Sequence, residues 1–215
     1  RVLELLEELL RKPEGARVRD ALERAWQKRT FEGPFERPLL ILAALRFDAL
    51  VEGASHPLHR VLAQSAASPV SVTGEALKAA LAPERLGFWI TLRSRRVQTN
   101  EVSRAIAWLW PATLAASADV RRPIALVDVG TSAGLNLVAD RLALSWRRRD
   151  GAEVFSPKSL EVRARVGFDA RPLDVRRKED CMWLEACVWP NQTKRLDLAS
   201  ALATTSTTLT AGAVG

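Results

Sequence analysis

Tyrosine is absent from this chain of 215 residues, methionine occurs once, and cysteine and histidine occur twice each. Cys181 and Cys187 lie six positions apart with no second pair, so a disulfide framework is excluded. With only His56 and His59 to join them, the ligand set of a zinc site is not reached either. Both thiols are expected to be ordinary buried side chains, and no metal is expected. Apolar runs break too early to cross a bilayer, and the start at Arg1 shows no charged, then apolar, then small-residue progression of a secretory leader. The expectation is a cytoplasmic piece of a longer protein, with no membrane span.

What is present is globular in character: 47% hydrophobic and 27% charged residues, enough chain for one large domain or a small helical domain joined to an α/β one. The net charge of +7 is carried mainly by arginine, densest at Arg93 to Arg96, Arg147 to Arg149 and Arg176 to Lys178. Such runs attract nucleic acid. No aromatic residues interleave with them to stack bases, and solvated arginine is what a GC-rich genome writes on surfaces, so nucleic acid is not the favoured partner. Seven tryptophans point to core and groove packing, with Trp108, Trp110, Trp183 and Trp189 either walling a pocket or filling space.

Residues 1 to 118 read as helices. Val2, Leu5, Leu6 and Leu9 form one apolar stripe, and Val18, Leu22, Ala25 and Trp26 a second. A third helix enters at Pro38, harmless in a first turn, carries Leu39, Leu42, Ala43 and Leu50, and stops near Gly53. Short helices are expected at 57 to 65 and 74 to 82. Thr99 or Asn100 can cap a further helix with Val102, Ala105, Ile106 and Leu109 on its apolar side, kinked or restarted at Pro111.

After Pro123 the period changes. Ile124-Ala125-Leu126-Val127-Asp128-Val129 is the short apolar run of a strand buried on both faces, and Gly130-Thr131-Ser132-Ala133-Gly134 follows it before helical spacing resumes at Leu135, Leu137 and Val138. Residues 145 to 160 read as an insertion with at most a short strand. Glu161 to Val166 alternates as a strand with one solvated face, and helices are expected near 179 to 188 and 191 to 204. The threonine-rich end from 206 to 215 is expected to fray.

A strand ending in two glycines ahead of a helix lets a ligand approach the backbone and face the helix amino end. The phosphate-loop pattern fails here, because three residues rather than four separate the glycines and Leu135-Asn136 follows. The dinucleotide fingerprint lacks its second glycine. Gly130 to Gly134 does spell the G-x-S-x-G nucleophile elbow, with Ser132 as nucleophile, but both histidines precede the serine where that fold takes its histidine after it. Val127-Asp128-Val129-Gly130 with Gly134 resembles the acid-x-glycine first motif of class I S-adenosylmethionine-dependent methyltransferases, with Ser132 in place of the usual middle glycine. Arg165-Val166-Gly167-Phe168-Asp169 looks like the second strand of those enzymes, and the resemblance implies that Asp169 holds the ribose hydroxyls.

At a larger scale the chain resembles an uncharacterised bacterial family, domain of unknown function 2332. The stretches that carry this are Arg37-Pro38-Leu39-Leu40, His56-Pro57-Leu58, Val97-Gln98-Thr99-Asn100-Glu101, Asp128 to Arg141, Val166-Gly167-Phe168-Asp169 and Trp183-Leu184 with Trp189-Pro190. The resemblance implies relationship and no established reaction.

The resulting expectation is an α/β fold: a helical region at 1–118 packed on a partial Rossmann-like parallel sheet at 119–205, then a tail at 206–215. The leading function is a methyltransferase-like enzyme binding S-adenosylmethionine through Asp128, Gly130, Ser132, Gly134, Asn136 and Asp169, with Asn100 and Glu101 on a polar patch facing the pocket or merely capping a helix. No catalytic base is assigned. The alternatives are a non-enzymatic nucleotide- or RNA-binding module and a serine hydrolase built on Ser132.

Overall fold

The computed structural model describes residues 1–63, 71–98, 101–117, 123–142, 146–147, 150–151, 153–155, 160–188 and 210–213. The fold is mixed, mainly helical with a small parallel sheet. It divides into two compact units, one of Arg1–Thr99 with Met182–Asp197 and one of Asn100–Cys181 with Leu198–Gly215. The helix that precedes the first strand falls in the unit that holds the parallel sheet.

In the first unit, α1 (Val2–Arg11) buries Leu5, Leu6 and Leu9, and α2 (Ala16–Trp26) buries Val18, Ala21, Leu22 and Ala25, as their spacing requires. Helix α3 (Glu36–Glu52) has Pro38 in its first turn and ends at Gly53, whose φ of 70 suits a residue without a Cβ. It is buried nearly all round, from Leu40 to Phe47, and so forms the centre of this unit. The short helices α4 (His59–Leu62) and α5 (Gly74–Ala80) fall where expected, and Thr73 caps α5 by accepting from the Ala76 N–H at 3.2 Å. Helix α6 (Leu86–Ser94), packed against α3, has no counterpart in the sequence reading. Its segment is apolar on several sides and lacks a polar face to reveal the period.

The second unit begins with a 3-10 turn at Val102–Ala105 that runs into α7 (Ile106–Ser117), with Pro111 inside the helix. Strand β1 (Ile124–Val129) follows. A two-stranded antiparallel ribbon of β2 (Trp146–Arg147) and β3 (Glu153–Phe155) occupies the segment read as an insertion. Strand β4 (Val162–Asp169) lies parallel to β1, and β5 (Thr210–Ala213) parallel to β4, giving the order β1-β4-β5. Helix α8 (Lys178–Ala186) precedes residues outside the description, where the helix expected at 191 to 204 also lies.

Three expectations are corrected. Residues 210–213, expected to fray, form the third strand, because ladder hydrogen bonds use the backbone and are indifferent to a low-complexity side-chain pattern. Strand β1 is not buried on both faces: Val127 is 66% and Val129 83% exposed, while Leu126 and Asp128 point to the covered side. On β4 the covered side includes Arg165, and Val166 and Phe168 lie partly open. Finally, residues 135–141 form a 3-10 helix rather than an α-helix.

Candidate functional site

The loop from β1 into the 3-10 helix at Leu135–Arg141 is built by three left-handed residues in five: Gly130 at φ 80, Ser132 at φ 52 and Gly134 at φ 78. Glycine takes that conformation freely, whereas a non-glycine residue there costs about 1–2 kcal/mol. The end of β4 holds the loop. The Phe168 carbonyl accepts from the N–H groups of both Gly130 (2.7 Å) and Thr131 (3.2 Å), and the Leu173 N–H donates to the Ser132 carbonyl at 3.3 Å. Asp169 accepts the Ser132 N–H on Oδ2 at 2.7 Å and the Arg171 N–H on Oδ1 at 2.8 Å. Thr131 lies so close over β4 that a Cβ at Gly167 would stand 2.6 Å from its Cγ2, which explains the glycine there.

Two electrostatic features follow. The Gly134 N–H donates to the Thr131 carbonyl, so the N–H groups of Gly130, Thr131, Ser132 and Gly134 all have protein acceptors and do not form a cradle for phosphate. A 3-10 helix of seven residues also makes a poor substitute for the α-helical amino end expected to face an anion. Conversely, four oxygens of this segment are buried without a protein partner: Asp128 Oδ2, Thr131 Oγ1, Ser132 Oγ and Asn136 Oδ1. Each such oxygen, left unmet, costs about 1–3 kcal/mol. They lie within nine consecutive positions, from the end of β1 through the loop into the 3-10 helix.

Of the expected site residues, the structure joins Ser132 directly to Asp169, with Gly130 and Gly134 in the same loop; Asp128 stands at the end of β1 and Asn136 at the start of the 3-10 helix. Asp169 uses both carboxylate oxygens on backbone N–H groups, and one lone pair on each oxygen is left over for hydroxyls. Glu101 immediately precedes the 3-10 turn at 102–105 and accepts from the Ser103 hydroxyl at 2.7 Å; Asn100 lies outside the described residues. Two supports escaped the sequence reading. The Trp108 indole N–H donates to the Asn136 carbonyl at 3.0 Å, tying α7 to the loop. Arg165 grips Asp140 through two 2.7 Å bonds and also donates to the Leu137 carbonyl, fixing the 3-10 helix on β4. The alternation of β4 hinted at Arg165 as a solvated residue, and no local signal names its partner twenty-five positions earlier.

Elsewhere, Asp48, Glu52 and His56 of the first unit offer atoms within 4.8 Å of one another. Arg85 occupies both carboxylates, bonding Asp48 Oδ2 at 2.7 Å and also Glu52. His56 Nδ1 accepts the Leu58 N–H at 3.0 Å, which leaves the ring proton of the neutral form on Nε2, 3.4 Å from Asp48 and without a lone pair for a cation. Burial alone would raise the Asp48 carboxyl, but His56 and Arg85 outweigh it and hold it below the usual range; Arg85 does the same to Glu52. The buried Arg46 donates to Glu185 and to the Val188 carbonyl beside a small apolar cleft lined by Leu39, Leu42 and Cys187. Burial pushes the Cys187 thiol up to about 12, which favours the protonated form, and Trp183 fills the core against Phe47.

Among the described residues no helix is long and apolar enough to cross a membrane. Compared with known proteins, residues 2–211 match the sequence family described as an uncharacterised protein conserved in bacteria, DUF2332, and the chain belongs to that family. No curated protein and no solved structure matches it.

Proposed function

We propose that this member of the DUF2332 family binds S-adenosylmethionine at the 130–134 loop and acts as a methyltransferase-like enzyme. The observation that carries the reading is the set of four unpartnered buried oxygens, one of them on the Asp128 carboxylate, at a loop where the N–H groups of Gly130, Thr131, Ser132 and Gly134 have protein acceptors. A phosphorylated nucleotide needs the opposite arrangement, free N–H donors and no carboxylate, so the nucleotide-binding alternative loses ground. A ligand with an ammonium group and sugar hydroxyls supplies the donors these oxygens lack.

The residues divide by what they offer. Asp128 and Asn136 present acceptors to the amino-acid end, and the glycines at 130 and 134 keep the backbone free of side chains. Asp169 is suited to ribose hydroxyls through the lone pairs it retains. Bound there, the cofactor supplies an electrophilic methyl group, and the protein's part is to position an acceptor in line with it. The parallel order β1-β4-β5, with the acid and first glycine at the carboxyl end of β1, is compatible with half of a Rossmann-like sheet.

Isothermal titration of S-adenosylhomocysteine tests this. Saturable binding that Asp128→Ala abolishes, with helical circular dichroism unchanged, supports the reading. Absence of binding by the folded wild type overturns it and moves the non-enzymatic module forward, for which RNA retention that falls steeply with salt is the corresponding signature.

A further inference from the structure

Along the chain, the arginine run from Arg93 to Arg96 has no aromatic residue among its members, and the fold of the first unit supplies rings from another segment. The Arg29 guanidinium donates through Nη1 to the Leu92 carbonyl at 2.8 Å, which sets the junction between α2 and α3 beside the end of α6. That junction carries the rings. Trp26 and Phe31 meet edge to face with centroids 5.6 Å apart, and Phe35 stands 76% exposed where α3 begins. Arginine is stacked among them: the Arg37 guanidinium lies 4.9 Å from the Phe31 centroid and 5.5 Å from that of Trp26, and Arg29 lies 5.5 Å from Phe31.

What the junction leaves open sets it apart from an ordinary solvated face. Arg37 is exposed, and among the described residues no carboxylate or carbonyl takes its N–H groups, so stacking orders the planar fork while its donors stay available. The nearby carboxylates are already used: Glu36 accepts the Glu32 N–H at 2.9 Å, and Glu32 faces Arg96 at 3.8 Å. Arg95 of the same run turns inward over Phe47 and Trp183. An ordered guanidinium suits a phosphate, and an exposed ring two positions away suits an unpaired base, whereas an acidic peptide offers the ring nothing to stack on. We infer that the junction of α2 and α3 is a docking surface for single-stranded nucleic acid, with Arg37 on a phosphate and Phe35 under a base. The inference does not rest on the cofactor reading, since its residues lie in the first unit and the glycine loop in the second.

Fluorescence anisotropy of labelled oligo(U), oligo(dT) and a duplex of the same length, each titrated with the full chain, tests this. Wild type binds the single strands more tightly than the duplex, and affinity falls as salt rises. Phe35→Ala, a change at an exposed position with folding checked by circular dichroism, binds about tenfold more weakly with the salt slope unchanged, the loss of one stacked base. Arg37→Gln lowers the slope of log affinity against log salt by about 0.7, the share of one phosphate on a single strand. Arg11→Gln, which removes an exposed charge from α1 in the same unit, binds as wild type does. Tighter binding of oligo(U) than of oligo(dT) identifies RNA as the strand and the reverse identifies DNA, and either supports the docking surface. Equal binding of single strand and duplex, unchanged affinity in a folded Phe35→Ala protein, or capture by phosphatidylserine vesicles without oligonucleotide binding overturns the inference.

Discussion

The backbone N–H of Ser132 donates to Asp169 Oδ2 at 2.7 Å, joining the loop after β1 to the end of β4 across 37 positions of sequence. The other oxygen of the same carboxylate holds the Arg171 N–H, so one side chain shapes two turns. A charge-assisted bond of this kind contributes about 1.5–3 kcal/mol. Asp169→Ala is expected to lower unfolding free energy by that order and to abolish S-adenosylhomocysteine binding, whereas Asp169→Asn, which can keep one of the two acceptors, loses less. Urea denaturation followed by circular dichroism measures the first effect and calorimetry the second; an Asp169→Ala protein as stable as wild type would show that the loop is held by its other contacts.

Gly167 is the second support of the loop. A Cβ there would meet Thr131 Cγ2 at 2.6 Å and Oγ1 at 2.9 Å, closer than atoms pack. Gly167→Ala should cost about 1–3 kcal/mol through displacement of Thr131. Gly33→Ala, where nothing lies within 4 Å of the added atom, is the control expected to stay within about 0.5 kcal/mol of wild type. Equal midpoints in urea for the two variants would contradict the packing described.

The ion pair of Arg165 and Asp140 is almost wholly buried, with side chains 9% and 7% exposed. Removing one partner strands the other charge, so Arg165→Ala or Asp140→Ala should each lose about 3–5 kcal/mol. Replacing both by apolar residues of similar size, Arg165→Met with Asp140→Leu, should recover most of that loss. The comparison is a double-mutant cycle by chemical denaturation, and purely additive losses would show that the pair does not act as a unit.

Acid stability depends on the carboxylates around Arg85. Asp48 and Glu52 are held below the ordinary carboxylate range in the folded chain, so the unfolded chain binds their protons first. Their contribution is present above the ordinary carboxylate value of about 4 and disappears as pH falls through the lower folded values. Asp174, held at about 2 by the Arg176 guanidinium, follows the same sign. Unfolding midpoints measured from pH 6 downward should therefore fall less steeply in Asp48→Asn than in wild type. Parallel curves would remove this cluster from the acid response.

Helices α1, α2 and α3 were legible because each carries a one-sided stripe or a clear start and stop: Leu5, Leu6 and Leu9 in α1, Pro38 and Gly53 around α3. Helix α6 was not, since Leu86-Gly87-Phe88-Trp89-Ile90 offers no polar face to set a period. The candidate site was legible at its glycines and at Asp128, where a strand must stop for a turn to form. Its supports were not: Trp108, Asp140, Arg165 and Gly167 matter through partners far along the chain, and a single sequence carries no record of such pairing.

By itself, then, the sequence determined what depends on neighbours along the chain: amphipathic helices in the first unit, a strand at 124–129, a glycine turn at 130–134, and a second strand ending in Asp169. Tertiary structure decided the rest. It joined residues 210–213 to the sheet through backbone bonds that composition does not advertise. It turned Arg165 inward to Asp140 and left Val129 outward, a choice made by what covers each face rather than by alternation alone. It also engaged the N–H groups of Gly130, Thr131, Ser132 and Gly134 while leaving Asp128 Oδ2, Thr131 Oγ1 and Ser132 Oγ without a protein partner, which the motif along the chain does not show. Period and turn chemistry act within a few residues, but the identity of a hydrogen-bond partner is a fact about space.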